Sequence, residues 1–103
     1  MLYHLDVDID YARMGSDKGA IRAAEHARVK DLVAEGVVVC EWLKANGLGI
    51  LAIWDCRDHA HLRDLLASLP MTPYLSQIEI EPCVDHPLFP EGRCAPAQMD
   101  QTI

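Results

Sequence analysis

No two cysteines lie near one another in this 103-residue chain: Cys40, Cys56, Cys83 and Cys94 are scattered along it. That spacing excludes a compact zinc motif and a secreted disulfide framework. It predicts free thiols, with Cys40, Cys56 and Cys83 acting as small buried hydrophobes. The histidines are equally dispersed. His59 and His61 form the only close pair, and on a helix two such rings diverge by about 200°, so no metal site is expected. No apolar run is long enough to span a bilayer. Asp6 and Asp8 break the N-terminal stretch before a signal-like apolar segment forms, and a cytoplasmic location is expected. Positive charge is scarce too, with 9 Lys and Arg against 16 Asp and Glu. A formal net charge of −7 argues against nucleic acid or an anionic membrane surface as a main partner.

What is present is an ordinary globular composition, 50% hydrophobic and 24% charged, sufficient for one two-layer core. Residues 2–8 alternate, with Tyr3, Leu5, Val7 and Ile9 on one face and His4, Asp6 and Asp8 on the other, as in a half-buried strand. A loop to Ser16 leads into a helix over 18–35, with Ser16 as its cap and Gly36 at its C′ position. A second strand is expected over 37–45, a hairpin turn at Asn46-Gly47 and a third strand over 48–56. Asp58 caps a second helix with core positions Leu62, Leu65, Leu66 and Leu69, stopped by Pro70 and Pro73. Residues 77–81 alternate again as a fourth strand.

This order, β-α-β-β-α-β, predicts an α+β, ferredoxin-like fold: a four-stranded antiparallel sheet with two helices on one face. A domain over 1–87 and an irregular tail over 88–103, rich in proline, follow from it. The second sheet face is left open, carrying His4 and Asp6 near Glu79 and Glu81, and a partner subunit is expected to cover it. Mutual repulsion within Asp6, Glu79 and Glu81 would raise one of their pKa values.

Glu25 stands out within the first helix. At about 100° per residue it points into the apolar stripe of Ile21, Ala24, Val29, Leu32 and Val33, as does Arg28 one turn on. A carboxylate facing a core needs a partner or a raised pKa, and beside a cavity the second makes it a proton-transfer candidate. A structural ion pair with Arg28 is the alternative.

Several motifs then fall into one order. The chain opens Met1-Leu2-Tyr3-His4; Glu25 is followed by Glu35-Gly36; Trp54-Asp55 ends the third strand. Leu62-x-Asp64-x-Leu66-x-x-Leu69-Pro70-x-x-Pro73-Tyr74 leads to Ile78-Glu79-Ile80 and His86-Pro87. From Met1 to Pro87 this resembles the muconolactone delta-isomerase family, with one extra residue near Ser76. The second strand departs from the family pattern: Val38-Val39-Cys40-Glu41-Trp42-Leu43 replaces a Trp-Arg-His-Leu-Trp-Arg run, keeping Trp42 alone.

The resemblance implies a cofactor-free enzyme of aromatic catabolism, assembled as a homo-oligomer, a decamer in the typical member. Such an enzyme converts muconolactone to the 3-oxoadipate enol-lactone by moving a proton between ring carbons. That chemistry needs a base near neutral pKa and a donor or cation for the developing dienolate oxygen. Glu25 is then the expected proton shuttle, with His26 and His4 as catalytic partners. Arg22, Arg28, Trp42, Trp54 and Tyr74 are expected to contact a small lactone or oxo-acid ligand. The alternatives are a non-catalytic binding or assembly protein, or a cofactor-free monooxygenase or lactone dehalogenase on the same scaffold.

Overall fold

A computed structural model describes residues 1–89; most of the expected tail, from Pro90 with Cys94 and Pro96, lies outside the described residues. Strand β1 (Leu2–Ile9) alternates as its sequence dictates, burying Tyr3, Leu5, Val7 and Ile9. The expected loop after it is instead a kinked 3-10 segment, Tyr11–Asp17, which tucks Met14 against Ile9 and Met71. Helix α1 (Lys18–Ala34) starts from Asp17 rather than Ser16 and has no side-chain cap. The incoming 3-10 turn already occupies the Lys18 N–H with the Gly15 carbonyl.

Gly36 closes α1 as expected. Its φ of +79° is left-handed backbone that favours glycine. The Gly36 N–H meets the Val33 carbonyl at 3.0 Å and the Val37 N–H meets Leu32 at 2.9 Å, a Schellman ending. The buried stripe of α1 is rotated from the expected one. Leu32 is fully buried; Ile21, Glu25, Arg28 and Val29 are half-buried; Ala24 and Val33 are exposed. The contact line runs through residues 21, 25, 28 and 32, the four-three-four spacing of a helix seated on one edge.

Strands β2 (Val38–Leu43) and β3 (Gly49–Asp55) form the expected hairpin. Helix α2 (His59–Ala67) is capped by Asp58, whose Oδ1 accepts the His61 N–H at 2.8 Å. A 3-10 turn, Thr72–Tyr74, then delivers β4 (Leu75–Cys83). The sheet order is β2-β3-β1-β4, all neighbours antiparallel, giving the ferredoxin-like arrangement. Leu62, Leu65 and Leu69 join Tyr3, Leu5 and Trp54 in one core. No helix of the described residues is long and apolar enough to cross a membrane.

Two irregularities decide which side chains face that core. Between β1 and β4, Asp8 pairs with Gln77 and Ile9 with Leu75, so Ser76 is an unpaired extra residue. Between β2 and β3, Val38 pairs with Trp54 but Cys40 with Ile53, leaving Val39 as a bulge. The bulge inverts the alternation of the rest of β2: Glu41, opposite buried Ala52, turns toward the helices and Trp42, opposite Leu51, turns away. Gly49 has its own constraint, because a Cβ there would run into the Val7 carbonyl and the Asp8 and Lys44 side chains.

Tyr3 is fully buried, and its hydroxyl bonds His59 Nδ1 at 2.5 Å, so the buried hydroxyl is satisfied. Of the cysteines, Cys56 is buried while Cys40 and Cys83 are half-buried. Because Leu32 is the one fully buried side chain of α1, Leu32→Ala is expected to cost about 2–5 kcal/mol. Urea denaturation at neutral pH measures it.

Candidate functional site

α1 seats on the core through Leu32 near its C-terminal end, and its preceding turns ride over a gap. The gap is a cavity of about 260 Å³ between helix and sheet. Leu5, Val7, Ala52 and Trp54 form its floor, while α1 supplies Arg22, Glu25 and His26. Glu41 and Leu43 of β2 line one side, and Leu69, Met71 and Thr72 the other.

Glu25 is held in this gap by a backbone group. Met71 N–H donates to its Oε1 at 2.9 Å. The Leu69-Pro70-Met71-Thr72-Pro73-Tyr74 stretch makes that donor available. It follows the end of α2 and turns tightly through Thr72–Tyr74. The Thr72 hydroxyl ties back to the Leu66 carbonyl, and the Tyr74 N–H to the Met71 carbonyl at 2.9 Å. Burial pushes the Glu25 carboxyl above its ordinary range, while the Met71 N–H and neighbouring His26 pull it partly back. Burial also raises Glu41, and repulsion from Glu25 adds to it, against an opposing pull from His26. The two carboxylates and the imidazole are therefore one electrostatic group.

The structure brings Glu25, His26 and Arg22 to the same cavity, with Trp54 in its floor, 2% exposed. The Trp54 indole Nε1 is buried with no partner among the described residues. His4 is elsewhere: it pairs with Ile53 and Glu81 on the open sheet face. Trp42 shares that face and is 57% exposed. Arg28 does not form the expected ion pair with Glu25. Its Nε donates to Ser68 Oγ at 3.3 Å, joining α1 to the end of α2 outside the cavity lining. Tyr74 packs with the cluster of Ile9, Met14 and Met71, with the Arg13 guanidinium 5.8 Å from its ring centre; Tyr11 lines the cavity instead.

The expected acidic trio on the open face is also reorganised. Lys44 Nζ lies 2.5 Å from Asp6 and 2.7 Å from Asp8, bridging the two carboxylates of β1, and Gln77 Nε2 donates to Glu79 at 3.0 Å. His61 accepts the Arg57 N–H and His86 the Leu88 N–H, each at 3.0 Å, both local structural bonds. Among the described residues no group of three or more His, Cys, Asp or Glu side chains is placed to hold a metal ion. Sequence reasoning missed Glu41 and Met71. Alternation counted forward from Val38 turns Glu41 outward, and only the bulge at Val39 brings it to the cavity side.

Fold and site together define a small α+β domain with an acid–base cavity between helix and sheet. The description "Muconolactone delta-isomerase" matches residues 1–88 as a family. Muconolactone Delta-isomerase 2 of Acinetobacter lwoffii is 32% identical over 91 residues, covering 84% of this chain and 91% of that protein. A crystal structure of muconolactone isomerase superimposes with a TM-score of 0.75 at 25% identity, over 84% of this chain and 92% of the other. The 5-chloro-2-hydroxyhydroquinone dehydrochlorinase of Burkholderia phenoliruptrix AC1100 shares the fold, with TM-score 0.63, 15% identity and coverage of 84% and 96%. The chain belongs to the muconolactone delta-isomerase family.

A raised carboxyl pKa has a defined stability signature. Its contribution favours the fold below the ordinary value near 4.5 and is lost as pH rises through the elevated one. Glu25→Gln keeps an oxygen for the Met71 N–H but carries no charge to bury. It is expected to melt about 1–4 °C above the parent at pH 7, the difference shrinking toward pH 4. Thermal melts across that range measure this.

Proposed function

We propose that this protein is a cofactor-independent isomerase that shifts a proton within a small unsaturated lactone, of the muconolactone type, in aromatic compound catabolism. One observation carries the proposal: a half-buried carboxylate, Glu25, fixed by a backbone N–H inside an otherwise apolar cavity. Family membership supports the same chemistry.

In this mechanism Glu25 in its ionised form takes a proton from a ring carbon conjugated through the C=C bond to the lactone carbonyl. The C–H electron pair moves into the ring and the carbonyl oxygen becomes a dienolate. Glu25, now protonated, returns the proton to the carbon next to the carbonyl, and the double bond has moved one position. Nothing is gained or lost. The raised pKa makes Glu25 a stronger base once ionised, and the apolar walls exclude water that would compete for the proton. Arg22 and His26 border the cavity where a negative oxygen develops. Self-association belongs to the proposal as well. Trp42, Leu51 and Ile53 lie on the sheet face the helices leave open, and light scattering should give a mass above the 11.5 kDa monomer.

Incubation with muconolactone in D₂O is expected to produce both an ultraviolet absorbance change and deuterium incorporation. Glu25→Gln should reduce both by about 10²–10⁴-fold. Arg28→Ala, which loses the contact to Ser68 outside the cavity lining, should stay within about threefold of the parent in kcat/KM. Retained lactone binding with no exchange at any pH would leave a binding protein in place of an isomerase.

A further inference from the structure

Charge on the cavity lining is confined, among the described residues, to Arg22, Glu25, His26 and Glu41. Neither carboxylate forms an ion pair among those residues. The remaining wall is almost entirely hydrocarbon, with Leu5, Val29, Leu43, Ile50 and Leu69 among its members. Glu41 reaches this lining because the bulge at Val39 turns it inward opposite Ala52. It shares that lining with Glu25, whose charge adds to burial in pushing the Glu41 carboxyl above its ordinary range. A ligand that brought its own carboxylate would add a third such group to a lining whose basic side chains, among the described residues, are Arg22, itself exposed at the rim, and His26. An uncharged ring of the same shape would meet no such repulsion and would match the apolar floor.

We infer that Glu41 is a specificity-determining residue, and that the cavity takes small unsaturated lactones without a free carboxylate in preference to lactone acids. This rests on the isomerase proposal for the reaction, but not for the binding preference. Glu41 comes from the edge strand and lacks the Met71 contact that fixes Glu25, so its replacement is expected to act chiefly on which lactone enters. Repulsion between unit charges at an exposed rim is partly screened, so the preference is finite and salt-dependent.

The experiment uses one matched pair, muconolactone and its methyl ester, which share a ring and differ by one charge. Calorimetric Kd values at low salt are expected to favour the ester by about tenfold. Glu41→Gln should narrow that ratio at least about threefold, and Glu41→Arg should reverse it, with circular dichroism confirming that both variants fold. Added salt should shrink the ratio more in the parent than in Glu41→Gln. Tighter binding of the acid by the parent overturns the inference, as does failure of the ester to bind or a ratio unchanged in both variants. Deuterium exchange into the ring, followed on the same samples, reports separately on the reaction. Selective binding without exchange sinks the isomerase proposal alone, and exchange accompanied by tighter binding of the acid sinks the inference alone.

Discussion

A carboxylate can remain inside a helix–sheet interface only if something there binds it, and in this protein that something is the Met71 N–H on Glu25. The bond links the middle of α1 to the turn between α2 and β4, across a gap that side-chain packing does not fill. Leu32 anchors one end of the helix in the core. Glu25 holds the part above the cavity at a fixed height. Without that bond the charged form would have to swing out to water, and the gap would be free to close on its apolar walls. The site and the tertiary structure thus share one contact, and the local cost of burying Glu25 is the condition for having a site.

The same economy explains the double-proline segment. Proline lacks an N–H, so Pro70 and Pro73 cannot continue α2 or compete for its carbonyls. The residues between them are left to satisfy themselves within one turn, and Met71 has its donor to spare. A motif that reads in the sequence as a helix stop is, in three dimensions, the mount for a carboxylate.

Much of this was legible beforehand. Alternation in β1 placed Tyr3, Leu5 and Val7 inward, Asp58 and Gly36 marked helix ends, and Glu25 was visible as a charge on an apolar stripe. What could not be read was register. The bulge at Val39 leaves no mark in composition, yet it exchanges the faces of Glu41 and Trp42. His4 was legible as a polar residue of a central strand on the face the helices leave open, and it lies there, on the side away from Glu25. Arg28 shares a helix stripe with Glu25, and its length lets it pass over that neighbour to Ser68. Long side chains choose partners by reach, which helical periodicity does not encode.

The position of β2 in the sheet carries a consequence of its own. It is an edge strand, bonded to β3 alone, whereas the cavity floor comes from the central pair β1 and β3. Substitutions in the floor disturb two neighbours and the core at once; substitutions along β2 disturb one neighbour and face water on the other flank. This strand also carries Glu41 and Leu43 on the cavity lining. A fold arranged this way separates heritable variation from structural risk. Its permissive margin borders the cavity, so the lining can change there while the Met71 mount for Glu25 stays in place.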